Sequence, residues 1–114
     1  MSEKIGRGAQ TPRPARNRTL LAGVIIYARP AFTMDCAVRN LSEGGAHVRV
    51  AGLPVLMDPI ALLVPRLDSA HEAVVAWQKG REFGVRFTRQ IDLGSPVSDL
   101  DKIVRRLWLE RSAR

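Results

Sequence analysis

DCAVRNLSEGGAHVRV, residues 35–50, sets two short apolar alternations around the polar hexapeptide Asn40 to Gly45. After the hexapeptide, Ala46, Val48 and Val50 share one parity and His47 and Arg49 the other, the period-two pattern of a strand with one buried face. His47 therefore reads as an exposed strand residue rather than a ligand or base. Before the hexapeptide, Cys36 and Val38 have one parity and Leu41 the other, so the inward face must switch near Arg39 and Asn40. A β-bulge or an early strand end accomplishes that. Asn and Gly are what a hairpin bend wants, but an amide, a hydroxyl and two glycines are more than a two-residue turn requires.

Working outward, TLLAGVIIYA from Thr19 is a β-branched and aliphatic run closed by Arg29-Pro30, and it predicts a first strand. MDCAVRNL and AHVRV are the second and third. PIALLVP and HEAVVAW, separated by RLDSA, predict the fourth and fifth, and Gln78 to Arg81 a turn. The sixth is EFGVRF, with Phe83, Val85 and Phe87 on one face. Six short strands with turn signals between them predict an all-β fold, an antiparallel barrel or sandwich, rather than a helix-crossover sheet.

The C-terminal segment has a different period. Val97, Leu100, Ile103, Val104, Leu107 and Trp108 form one helical stripe, with Ser95-Pro96 as the expected cap and first turn and Asp99 and Asp101 near the positive end of the dipole. This predicts an amphipathic helix over 95–112 that packs on the barrel, with a dimer interface as the alternative use of its apolar face. The chain is expected to be a monomer or a weak dimer.

The net charge of +7 is concentrated at the other terminus. Lys4, Arg7, Arg13, Arg16 and Arg18 stand against Glu3, in a segment with almost nothing to bury. Residues 1–18 read as a flexible basic arm that attracts anions, and 19–92 as the barrel. No stretch approaches the ~18 apolar residues of a membrane span, and the N-terminus lacks the apolar run of a secretory signal, which together predict a cytoplasmic protein. Cys36 is alone and reads as a small buried hydrophobe; with only two histidines, no metal-ligand set and no cofactor is expected.

No serine or cysteine has a plausible histidine and acid, no glycine-rich phosphate loop opens a helix, and the acids are scattered. No catalytic residue is assigned. Nucleic acid is not the expected ligand either, because Phe83, Phe87 and Trp108 are claimed by packing and no stacking platform remains. A binding role fits better. Asn40 can donate and accept at a base edge, Ser42 offers a hydroxyl, and Gly45 lets the turn approach a flat ligand without a Cβ between.

Asn40-Leu41-Ser42-Glu43-Gly44-Gly45 resembles the [D/N]-x-S-x-x-G motif of PilZ domains, and Trp77 to Phe87 is similar to their closing W-x-x-G-x-x-x-G-V-x-F hairpin. The resemblance covers about residues 13 to 88 and implies a six-stranded antiparallel barrel with an attached helix. It also implies a receptor for cyclic diguanylate (cyclic di-GMP), whose arm arginines, Arg13, Arg16 and Arg18, wrap the ligand while Asn40, Ser42 and Gly45 contact it from the barrel. The family's arm is R-x-x-x-R, and here Asn17 stands four residues after Arg13, with Arg16-x-Arg18 directly before the first strand. The chemistry is sound, since guanidinium groups stack on purines and bond in bidentate fashion to phosphate oxygens or guanine O6 and N7. With no output domain, the chain is expected to act through an effector protein of the bacterial cell. A PilZ-like interaction module that binds no dinucleotide is the alternative. Trp77 and its glycines are assigned to barrel structure, and Arg39, Arg49 and Arg86 to solvated strand faces.

Overall fold

The computed structural model describes residues 21–28, 31–52 and 59–112. The arm, with Arg13, Arg16 and Arg18, and the Arg29-Pro30 turn lie outside the described residues. Six strands form a closed antiparallel barrel: β1 (Leu21–Ala28), β2 (Ala31–Leu41), β3 (Gly45–Val50), β4 (Ile60–Val64), β5 (Ser69–Lys79) and β6 (Glu82–Gln90). The order around the barrel is β1-β2-β3-β6-β5-β4. Among the described strands closure leaves no free sheet edge for another chain to extend. Several strands run past the apolar alternation that announced them; β2 begins at Ala31 rather than Met34, and β5 spans Ser69–Lys79. Backbone pairing continues there past the alternating residues, through Thr33 on β2 and Ser69, Gln78 and Lys79 on β5.

Alternation sorts the side chains into two cores. Leu21, Ile25, Val38, Val48, Ile60, Leu62, Phe83 and Val85 point into the lumen and fill it. Each of the larger ones contributes roughly 1.5–3 kcal/mol by leaving water. β1 and β4 are apolar on both faces, and their other parity, Val24, Ile26, Ala61 and Leu63, forms a second cluster outside the barrel. That cluster explains the helix: α1 (Asp99–Ser112) lies over it through Leu100 and Val104, with Ile103, Leu107 and Trp108 at the margin. Cys36 is buried in the lumen, where burial, with a smaller contribution from Asp35, pushes its thiol up to about 12. It is an inert hydrophobe, as its setting in the strand implies.

The parity switch in β2 is a bulge. Val38 pairs with Val48, but the next pair is Asn40 with His47, then Leu41 with Ala46, so Arg39 is the extra residue. Leu41 returns to the core and Asn40 turns outward beside His47.

Two details of the helix differ from the sequence reading. The cap is Ser98, whose hydroxyl accepts the Asp101 N–H at 3.1 Å, and not Ser95. Ser95 instead closes a turn by donating its N–H to the Asp92 carbonyl. Val97 is consequently outside the helix and 76% exposed rather than part of the apolar stripe. The reason lies in Asp101, which is 1% exposed and bonded by both oxygens to the Arg89 guanidinium at 2.7 and 3.1 Å. Arg89 also grips Glu72 on β5 at 2.7 Å. The first turn is fixed where it can reach this β5–β6 clamp. Arg89, with desolvation opposing, holds the Asp101 carboxyl below its usual range.

Candidate functional site

The β2–β3 turn is tied down from three sides. The Ser42 N–H and hydroxyl both donate to the Gly45 carbonyl, at 2.9 and 3.2 Å, and the Phe87 N–H of β6 donates to the Gly44 carbonyl at 2.8 Å. The two glycines are not equivalent. A Cβ on Gly45 would lie 2.2 Å from the Val85 carbonyl oxygen, whereas one on Gly44 would meet nothing within 4 Å. Gly45 thus lets β3 close against β6, a reason in the barrel itself beyond the ligand approach read from the sequence. Gly45→Ala is expected to cost about 1–3 kcal/mol or more and Gly44→Ala within about 0.5 kcal/mol, measured by urea unfolding. Equal stability of the two variants would contradict this role.

Asn40, Ser42, Gly45 and His47 line one recess of about 120 Å³ on the outer wall. The Asn40 Oδ1 is buried there and accepts no hydrogen bond from the described residues. A buried acceptor left unpaired costs about 1–3 kcal/mol, and a turn of this amide toward the recess would let it accept an N–H there. Ser42 is exposed, and its oxygen keeps lone pairs to accept a bond while its hydrogen is committed to Gly45.

The register also fixes where the chain enters this wall. Leu21 pairs with Val38, two residues before Asn40 on the neighbouring strand, and adjacent strands run only ~4.8 Å apart. A larger cleft of about 450 Å³, which shares no lining residue with the recess, opens over Leu21, Ala22, Ala37 and Val50, with Asp35 and Arg49 also lining it.

Sequence reasoning left His47, Glu82 and Trp77 out of this neighbourhood. His47 is partly buried, with Nε2 2.5 Å from Glu82 Oε1, and Arg49 reaches the other Glu82 oxygen at 3.4 Å. The hydrogen bond from His47 holds the Glu82 carboxyl below its usual value, with desolvation opposing and Arg39 and Arg49 adding to the effect. Trp77 stands edge-on to His47 at 5.3 Å between centroids and remains 45% exposed. Its indole lies over Gly84, where a Cβ would fall 2.0 Å from Nε1. The spacing W-x-x-G-x-x-x-G therefore describes a two-residue turn, Gly80-Arg81, and a platform for the tryptophan. The signal available in the sequence was cross-strand pairing: Gly84 faces both His47 and Trp77.

Arg39, Arg49 and Arg86 are exposed, as expected of strand faces turned to solvent. Among the described residues no three histidine, cysteine or carboxylate side chains cluster as metal ligands would. Among the same residues no helix is long and apolar enough to cross a membrane.

A closed six-strand antiparallel barrel with a packed lumen, an outer C-terminal helix and a polar recess at the β2–β3 turn defines a small β-barrel domain. A PilZ domain family model matches residues 11–106, and the chain belongs to the PilZ family, a family of cyclic di-GMP receptor domains. A search of curated proteins found no match.

Proposed function

We propose that the chain is a cyclic di-GMP receptor of the cytoplasm that closes Arg13, Arg16 and Arg18 over a ligand seated on Asn40, Ser42 and Gly45, and signals through a partner protein. The observation supporting this reading is the pairing of Leu21, the first described residue after the arm, with Val38, two residues before Asn40. Arg18 is three residues from Leu21 and Arg16 five, so extended chain reaches ~10 and ~17 Å from that root, before adding the side chains. Size supports a two-part site. Sites for small molecules generally enclose roughly 300–1,000 Å³, and a recess of about 120 Å³ seats one base edge and leaves the rest to be covered. The unpaired Asn40 oxygen suits a guanine N–H, and the arm supplies cations for two phosphodiester charges. A strap that takes one position only with ligand present selects a new surface for the partner.

Calorimetric titration of the full chain with cyclic di-GMP, with GTP as control, tests the reading. Saturable binding at micromolar or tighter affinity with no GTP heat is expected. The absence of heat up to millimolar dinucleotide would leave the second reading, an interaction module without ligand, which the Asn17 in place of the family's second arm arginine favours.

A further inference from the structure

His47 occupies the recess wall directly across the β2–β3 ladder from Asn40. Its Nε2 is taken by Glu82, and among the described residues the ring makes no hydrogen bond at Nδ1. While the imidazole is neutral, Nε2–H donates to the carboxylate and Nδ1 presents only a lone pair to the recess. Protonation adds an N–H at Nδ1 and a positive charge, with Glu82 already in place as counterion. The charged groups around the pair are mixed. Arg39 comes from the bulge of β2, Arg49 from β3 itself, Lys79 opposite Glu82 from β5, and Arg86 opposite Gly45 from β6. Glu82 is the acid in contact with the ring. A dianion arriving in the recess would add negative charge beside the ring and so favour its charged form.

Resting on the proposed cyclic di-GMP site, we propose that His47 is a further ligand-contacting residue, which takes up a proton as the dianion binds and makes the receptor's affinity pH-dependent. Histidine is the side chain that changes charge in roughly the pH 5 to 8 range, whereas phosphodiesters stay ionised throughout it. The donor formed at Nδ1 suits a phosphate oxygen or guanine O6 or N7, all acceptors. The other histidine, His71, is stacked on Phe87 at 4.1 Å and lines no part of the recess.

The test is titration of the full chain with cyclic di-GMP at pH 7 in two buffers of different ionisation enthalpy, then across pH 5.5 to 8.5. Net proton uptake is expected, with affinity weakening roughly threefold to tenfold per pH unit across the titration. His47→Gln is expected to keep its fold, checked by thermal unfolding, to bind more weakly than the wild type at pH 5.5, and to lose the slope. His71→Gln is expected to retain it. Binding without proton uptake, or an unchanged slope in His47→Gln, overturns this inference and leaves the receptor assignment standing. A wild type that binds at no pH in the range overturns both.

Discussion

The double substitution Arg16→Ala/Arg18→Ala is expected to weaken cyclic di-GMP binding by about three orders of magnitude. Truncating one partner of a desolvated, charge-assisted pair costs about 2–5 kcal/mol, and each ~1.4 kcal/mol is a factor of ten in affinity. Taking about 2 kcal/mol for each arginine gives the thousandfold figure. The fold should be unaffected, because the lumen is filled by strand residues from Leu21 onward. Arg106→Ala, an exposed cation of α1, serves as the charge control and is expected to change affinity less than about twofold. Calorimetry separates the cases. Equal weakening by the arm and helix variants would show that bulk positive charge, and not a placed strap, holds the ligand.

Arg89→Ala is expected to produce the largest loss of stability among side chains outside the lumen. It strips Asp101, 1% exposed, of its bidentate partner and frees Glu72, so that the helix keeps its cap at Ser98 and loses its attachment to β5 and β6. Removing one member of a buried pair costs about 3–5 kcal/mol, and because Arg89 is itself 37% exposed, water lowers this to about 2–3 kcal/mol. For a domain of this size that corresponds to roughly 10–20 °C in Tm. The pH dependence has a definite sign. Asp101 has its folded value below the ordinary 3.8, so the clamp contributes fully above that value and is lost as pH falls through the lower, folded one. In the variant the carboxyl keeps the Val97 N–H at 3.1 Å but loses its charged partner, and it binds its proton more readily. The gap between wild type and variant should therefore be widest near neutral pH and narrow below about pH 4. A variant that melts with the wild type at pH 7 would show that the apolar contacts and the bonds from Arg105 and Trp108 seat the helix without the clamp.

The fold was legible because short β-branched or apolar runs, alternating in β3 and β6, stand between turn signals. The odd parity of Leu41 required a switch of face near Arg39 and Asn40, by a bulge or an early strand end, and it is a bulge at Arg39. The apolar stripe of the C-terminal segment likewise pointed to a helix packed on the barrel, and the doubly apolar β1 and β4 are the surface it covers. The helix cap was misplaced because Ser95-Pro96 is the stronger local signal. Ser98 prevails through Asp101, whose partner Arg89 is distant in sequence and follows from tertiary pairing alone. The candidate site was half legible. Asn40, Ser42 and Gly45 lie together in six residues, so their recess could be read from a turn. His47, Glu82 and Trp77 come from three strands whose order, β3-β6-β5, is fixed only when the barrel closes. The need for Gly45 has the same origin, since the atom that forbids a Cβ is a backbone oxygen of β6.

The most direct measurement is an amide chemical-shift titration of the isotopically labelled full chain with cyclic di-GMP. The account predicts saturable shifts that coincide in two stretches, Asn40 to His47 on the wall and the backbone from Arg13 to Leu21 leading into it, with the far face of α1 unmoved. Shifts confined to other surfaces, or none up to millimolar ligand, would contradict it.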